Sequence, residues 1–242
     1  MRQYGLIGYP LSHSFSKNYF TNKFQQECIA NCAYELYPIK AIEELPGLLA
    51  SGTLNGFNVT IPYKEAVLSY LHYPSDAVKV IGACNCVKIE DGKLYGYNTD
   101  VTGFEISLKK KLQHHHTAAL ILGTGGAAKA VAYVLKKYGI SFHYVSRKQG
   151  VNNFSYQQLN KEIITAHTLI INTSPLGMYP AVTEAPDIPY NFIGSQHYLF
   201  DLIYNPSQTL FMQKGAAQGA VTENGHEMLV LQAEESWKIW NS

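Results

Sequence analysis

The sequence predicts an α/β protein of two domains, a mixed-sheet domain followed by a doubly wound parallel one, and three observations carry that prediction. Strand-like and helix-like stretches alternate along the first hundred residues and close on a hairpin signal, Glu90-Asp91-Gly92-Lys93. In the second half an apolar run, Ala118-Ala119-Leu120-Ile121-Leu122, leads straight into Gly123-Thr124-Gly125-Gly126-Ala127-Ala128, the strand, glycine turn and helix start of a nucleotide-binding unit. With 242 residues, 46% of them apolar, the chain can fill a separate core for each domain.

Taken in order, Tyr4 to Gly8 reads as a strand. Ser16 to Ala30 reads as a helix with Tyr19, Phe20, Phe24 and Cys28 on one face, and Tyr34 to Ile39 as a second strand, which together open the chain as βαβ. Phe57 to Thr60 and Cys86 to Ile89 follow as strands, and the turn at 90–93 leads into Leu94 to Tyr97. A helix after Asp100 runs through Leu112. Beyond the glycine loop the pattern gives a helix to Tyr138, a strand from Ser141 to Ser146, a helix from Ser155 to Ala166 and a strand from Leu169 to Asn172. Tyr198 to Ile203, Gln208 to Gln218 and Ala220 to Thr222 complete the sheet as strand, helix and strand. In the tail, Met228, Leu229, Leu231, Trp237 and Trp240 mark a last helix from Glu227 to Trp240.

The net charge of +1 and the scattered lysines and arginines, bunched only at Lys109 to Lys111, give no face suited to nucleic acid. The start, Met1-Arg2-Gln3-Tyr4-Gly5, reads as neither signal peptide nor targeting helix, and no apolar run approaches the roughly 20 residues a membrane helix needs. A cytoplasmic protein without membrane contact is expected. Cys28, Cys32, Cys84 and Cys86 are too few for a disulfide framework, and neither pair has the two-residue gap usual for zinc. They read as free thiols. His114 to His116 read as a solvated linker, so no metal is expected.

In the glycine loop, Gly123 permits the turn, Gly125 with Gly126 and Ala127 brings backbone close to a pyrophosphate, and small Ala128 lets helix and strand pack. The helix N-terminus then faces the phosphates. An NAD-specific site would carry Asp or Glu near the end of the next strand. Here Ser146-Arg147-Lys148 offers two cations and no carboxylate, which favours a 2′-phosphate and therefore NADP. Ser14 and Ser16 stand at the entrance to the first helix, where hydroxyls, open backbone N–H groups and the helix dipole suit a carboxylate; one of the two also serves as N-cap.

Ser12-His13-Ser14-Phe15-Ser16, Asn58-Val59-Thr60-Ile61-Pro62-Tyr63-Lys64, Gly82-Ala83-Cys84-Asn85, Asn98-Thr99-Asp100, the glycine loop and Asn172-Thr173-Ser174-Pro175-Leu176-Gly177-Met178, in this order, resemble the shikimate dehydrogenases over essentially the whole chain. The resemblance implies a substrate-binding domain at 1–101 joined by the C-terminal helix at 226–242, and a Rossmann-like NADP-binding domain at 102–225. It implies reversible, NADPH-dependent reduction of 3-dehydroshikimate to shikimate, on the route to chorismate and the aromatic amino acids, by a monomer or homodimer. Ser14 and Ser16 then bind the substrate carboxylate. Lys64 exchanges a proton with the reacting oxygen, and Asp100 orients that ammonium and bonds a ring hydroxyl. Thr60, Asn85 and Gln232 match positions that bond ring hydroxyls, and Tyr204 one near the carboxylate. On the cofactor side, Thr173 and Met178 fall near the nicotinamide and Gly225 in the loop before the last helix.

Three features depart from the family pattern. Ser146 and Lys148 flank the arginine where the usual motif is Asn-Arg-Thr. Between Arg147 and Ile171 the chain has room for one helix only, so a missing or vestigial strand is expected there. Glu227 in Gly225-His226-Glu227-Met228-Leu229 stands where a second glycine is usual. A shikimate/quinate dehydrogenase with relaxed cofactor use and a non-catalytic NADP- and shikimate-binding sensor stand as alternatives. A methylenetetrahydrofolate dehydrogenase would have no use for the two serines.

Overall fold

The computed structural model describes every residue except Ser12, His13, Ser51, Lys148, Gln149, Val151 and Asn152. In chain order the elements are β1 (Arg2–Gly8), α1 (Phe15–Gln26), β2 (Cys32–Pro38), α2 (Leu45–Leu49), β3 (Leu54–Val59), β4 (Tyr73–Pro74), α3 (Asp76–Ile81), β5 (Cys86–Glu90) and β6 (Lys93–Tyr97). They continue with α4 (Thr99–Lys109), β7 (Ala118–Leu122), α5 (Gly126–Lys137), β8 (Ser141–Ser146), β9 (Asn153–Ser155), α6 (Lys161–Ala166) and β10 (Leu169–Asn172), then β11 (Tyr198–Asp201), α7 (Leu210–Ala217), β12 (Val221–Glu223) and α8 (His226–Trp240). The chain divides into two compact units, residues 1–99 with 232–242 and residues 100–231.

The first unit is built on a mixed sheet ordered β2-β1-β3-β5-β6-β4. β1 is parallel to β2 and β3, whereas β5 runs antiparallel to β3 and β6. Side chains alternate along the central strands. One face buries Ile7, Phe57, Val59 and Val87, while the other buries Tyr4, Leu6, Phe20, Tyr34 and Trp240, as the two-residue period of a strand requires. The turn joining β5 and β6 has positive φ at Asp91 (49°) and Gly92 (70°), the type I′ geometry that follows strand twist. α1 ends at Gln26 rather than Ala30, because Cys28 and Asn31 take φ of 53° and 57° and turn the chain out of the helix. α2, α3 and a 3₁₀ turn at Ala66–Tyr70 are too short for any hydrophobic period to announce them. From α8, Trp240 stacks on Tyr4 at 4.7 Å between ring centres and donates its indole N–H to the Val87 carbonyl at 3.0 Å.

The second unit carries a six-stranded sheet ordered β12-β11-β10-β7-β8-β9, parallel throughout. β7 and β10 at its centre are apolar runs with Leu120, Ile121, Leu122, Leu169, Ile170 and Ile171 fully buried, as expected of strands covered on both faces. Among the described residues, the segment between Arg147 and β10 holds β9, a strand of three residues, a 3₁₀ turn and α6. The single helix expected over Ser155 to Ala166 is in fact two pieces. Ser155 N–H donates to Gln158 Oε1 at 2.8 Å over a 3₁₀ turn. Asn160 then restarts the chain as α6 by accepting from Ile163 N–H at 2.9 Å, an N-cap that ends one helix and begins another. His116 is a correction as well. It lies buried with its Nδ1 accepting from Gln113 N–H at 2.8 Å, and burial and the adjacent His115 depress its pKa, so only His114 and His115 of the triplet lie in the polar connection.

Candidate active site

In the first unit Ser16, Asn85 and Gln232 join one buried hydrogen-bond network, beside the helix cap at Ser14. Ser14 caps α1, accepting from Lys17 N–H at 3.4 Å. Ser16, in the first turn, bonds the Tyr34 hydroxyl. Tyr34 donates to Asn58 Oδ1 at 2.9 Å, and Asn58 Nδ2 donates to the Asn85 carbonyl at 3.1 Å and to Ser236 Oγ at 2.9 Å. Ser236 in turn donates to the Gln232 carbonyl at 2.9 Å and meets Thr99 Oγ1 at 3.2 Å. The Asn85 side chain brackets Thr99, accepting from its N–H at 2.7 Å and donating to its hydroxyl at 3.1 Å. Ser16 thus bonds Tyr34, Asn58 and Thr99 hold the backbone and side chain of Asn85, and Ser236 bonds the Gln232 carbonyl; Tyr34, Asn58 and Ser236 were assigned no site role from sequence.

Thr60 and Lys64 sit on the turn that leaves β3. Thr60 N–H donates to the Ile7 carbonyl at 2.9 Å and its own carbonyl accepts from Tyr63 N–H at 2.9 Å. Buried Tyr63 reaches across to the Ile39 carbonyl at 2.8 Å, and the Lys64 carbonyl accepts from Cys84 N–H at 2.8 Å. Those bonds hold the backbone on both sides of the lysine, whose side chain is half-exposed. Ile61-Pro62, within the turn, carries no buried side chain and Ile61 is 74% exposed.

The second unit contains Asp100, buried in the first turn of α4, and the whole of the expected nucleotide site. Gly123 has φ of +123°, and a Cβ there would lie 2.6 Å from Thr173 Oγ1, so only glycine fits. Gly125 is the N-cap of α5, with no side-chain capping bond and nothing within 4 Å of the place a Cβ would take. Gly126 and Ala127 begin the helix, and Ala128 is fully buried against the sheet. The first turn of this twelve-residue helix thus has no side-chain cap on its N–H groups, and the backbone at Gly125 is uncrowded, which is what a phosphate group needs. At the end of β8, Ser146 Oγ accepts from Asn153 Nδ2 at 2.7 Å and Arg147 is exposed; Lys148 lies outside the described residues.

Thr173 is tied to the glycine loop's strand, both its N–H and its hydroxyl donating to the Leu122 carbonyl at 3.0 and 2.9 Å. Met178 lies 46% exposed on the same loop. Tyr204 is half-buried, which raises its pKa. Gly225 is glycine for a reason of packing: a Cβ would stand 2.0 Å from the Leu202 carbonyl oxygen. Glu227, the residue in place of the usual glycine, pairs with Lys110 in the first turn of α8, where the helix dipole also favours a carboxylate. Beneath these loops Asp201 is completely buried, accepting from Asn172 Nδ2 and Ile203 N–H at 3.0 Å each and from Thr209 Oγ1 at 2.6 Å. Desolvation raises its pKa to about 6 against the three donors. No site role was assigned to Asp201 from sequence, where the one signal available was a lone acid at the end of an apolar strand. Among the described residues no group of three His, Cys, Asp or Glu is placed to hold a metal ion.

A profile of the shikimate dehydrogenase substrate binding domain matches residues 6–87. The NADP(+)-dependent shikimate dehydrogenase of Clostridium beijerinckii is 40% identical across 99% of this chain and 92% of its own. Among solved structures, shikimate dehydrogenase 1 of Peptoclostridium difficile superposes with a TM-score of 0.87 at 37% identity, covering 100% of this chain and 92% of that one. The Thermus thermophilus enzyme in complex with NADP(H) and shikimate gives 0.85 at 28% identity over 99% and 93%.

Proposed function

The chain belongs to the shikimate dehydrogenase family, and from that premise we propose that it reduces 3-dehydroshikimate to shikimate, reversibly, with NADPH. The observation that carries this reading is identity of 40% to a relative named for that reaction over nearly the full length of both chains. The residues present suit the cofactor: the open helix N-terminus behind Gly125 takes the pyrophosphate, and Arg147, with no carboxylate beside it at the end of β8, takes the 2′-phosphate. Thr173, Met178 and Gly225 form its nicotinamide side, and Ser146 shapes the adenine side. When bound, NADPH supplies the hydride.

Lys64 is the acid and base. As the substrate carbonyl carbon is reduced, negative charge grows on its oxygen, and an ammonium held there stabilises that charge more than it stabilises the neutral ketone. Ser14 and Ser16 take the carboxylate with Tyr204 near it, and Thr60, Asn85, Asp100 and Gln232 take ring hydroxyls. The buried network through Asn58 supports this reading, because side chains that must present fixed donors are themselves hydrogen-bonded from behind. The protein then works on a small molecule, in the cytoplasm, as a monomer or homodimer; no described helix is long and apolar enough to cross a membrane.

The test follows the absorbance of reduced nicotinamide with shikimate and either NADP⁺ or NAD⁺, then with quinate. Turnover is expected with shikimate and NADP⁺. Lys64→Ala should lower kcat by about 10²- to 10⁴-fold with little change in shikimate KM. An unchanged kcat in that variant would remove Lys64 from the chemistry, and preference for quinate or NAD⁺ would shift the assignment to a quinate-type enzyme.

A further inference from the structure

We propose that Asp201 is the positioning residue of the loop Asn172–Met178, and that it sets NADP affinity through that loop without touching the cofactor. The proposal rests on the functional reading above for the identity of the ligand. Its geometry lies wholly within the second unit. Asp201 Oδ1 accepts from Asn172 Nδ2, and the other end of that amide, Asn172 Oδ1, accepts from Ser174 N–H at 3.0 Å and Ser174 Oγ at 2.7 Å. Leu176 N–H then donates to Ser174 Oγ at 3.4 Å. The carboxylate therefore orients an amide that in turn folds the loop carrying Thr173, and Thr173 is the residue packed on Gly123 of the phosphate turn.

Two further segments converge on the same carboxylate. Thr209 donates to Asp201 Oδ2 and at the same time caps α7 by accepting from Met212 N–H at 3.3 Å. Gly177, in the loop, lies with its Cβ position 3.7 Å from Thr209 Cβ. Ile203 N–H donates to Oδ1, and the Ile203 carbonyl accepts from Gly225 N–H at 3.0 Å, so the segment before α8 is registered by the same group. An ordinary buried carboxylate in a core of isoleucine and leucine would be replaced by an apolar residue at little cost. This one is the common acceptor for the end of β10 and for both ends of the β11–α7 connection, which lie at the same end of the parallel sheet as the glycine turn.

The chemistry separates two substitutions. Asparagine can keep all three bonds, its Oδ1 accepting from Asn172 and Ile203 and its amide donating to Thr209. Alanine keeps none. Asp201→Ala should raise the KM for NADP⁺ by about tenfold or more, with the KM for shikimate changed by less than about twofold, and Asp201→Asn should stay within about twofold of the wild type in both. An unchanged KM for NADP⁺ in a folded Asp201→Ala protein, an equal rise in both KM values, or an Asp201→Asn protein as impaired as the alanine one would each overturn the proposal. If Asp201→Ala does not fold, Ser174→Ala decides instead, removing one link at a half-buried surface loop. A rise of roughly threefold or more in the KM for NADP⁺ supports the proposal and no rise overturns it. Should the wild type prove inactive with shikimate, the functional reading fails separately, and the same comparison is read from NADPH fluorescence titration of the four proteins.

Discussion

Replacing Asp201 by asparagine tests the electrostatics of the second unit through stability alone. The carboxyl is buried, with an ordinary pKa of 3.8 raised to about 6, desolvation outweighing the donors Thr209, Ile203 and Asn172. A group whose folded pKa lies above its unfolded value contributes stability that is complete below the unfolded pKa. That contribution is lost as pH rises through the folded pKa. At about 1.4 kcal/mol per pH unit, the interval from 3.8 to about 6 is worth about 3 kcal/mol. Asparagine does not titrate and reproduces the hydrogen-bond pattern of the protonated acid. Urea unfolding of both proteins from about pH 4 to about pH 7, followed by circular dichroism, should show Asp201→Asn gaining about 3 kcal/mol relative to the wild type as pH rises. Other titrating groups cancel in the difference. A flat difference, or one that favours the wild type at higher pH, would mean that the three donors outweigh desolvation and that the burial argument is wrong.

Asn58→Leu keeps the side-chain volume but removes one hydrogen bond each from the Tyr34 hydroxyl, the Asn85 carbonyl and Ser236, and buries an apolar group among polar ones. A loss of about 3–5 kcal/mol in the first unit is expected in denaturant melts, with a weaker KM for shikimate and an unchanged one for NADP⁺. Trp240→Ala removes the ring stacked on Tyr4 and the indole bond to Val87, and its cost should be about 3–5 kcal/mol, read as a lowered thermal midpoint. Arg147→Ala should raise the KM for NADP⁺ by roughly tenfold and leave that for NAD⁺ unchanged; equal effects on both would take the guanidinium away from the 2′-phosphate.

Elements with a strong local pattern were legible in the sequence. The expected strands at Ala118–Leu122, Ser141–Ser146 and Leu169–Asn172 coincide with β7, β8 and β10: β7 and β10 are unbroken apolar runs buried on both faces, and β8 is a short run rich in aromatic and β-branched residues set off by serines. α2 and α3 were not legible, since five or six residues hold less than two helical turns. The division at Leu159-Asn160 rests on two local side-chain bonds, Gln158 back to Ser155 N–H and Asn160 forward to Ile163 N–H, and no periodicity records them. Of the site, the glycine loop, Arg147 and the two serines follow from what phosphate and carboxylate require. The support beneath them does not, because Asn58 meets Ser236 across 178 positions of chain and such a pairing leaves no trace in spacing. Glu227 stood out as a misplaced charge, and only its partner Lys110 shows where that charge goes.

The outer strands of the second unit's sheet bear on self-association. β9 is one outer strand of the parallel sheet and β12 is the other; each spans three residues. An outer strand offers a row of unsatisfied amides and carbonyls to any passing extended chain, and the offer scales with its length. Three residues present too few groups to hold a foreign strand in register. Among the described residues the second unit's parallel sheet therefore has margins too brief to template aggregation, even though β7 and β10 in its interior would be hazardous if either ran along an edge.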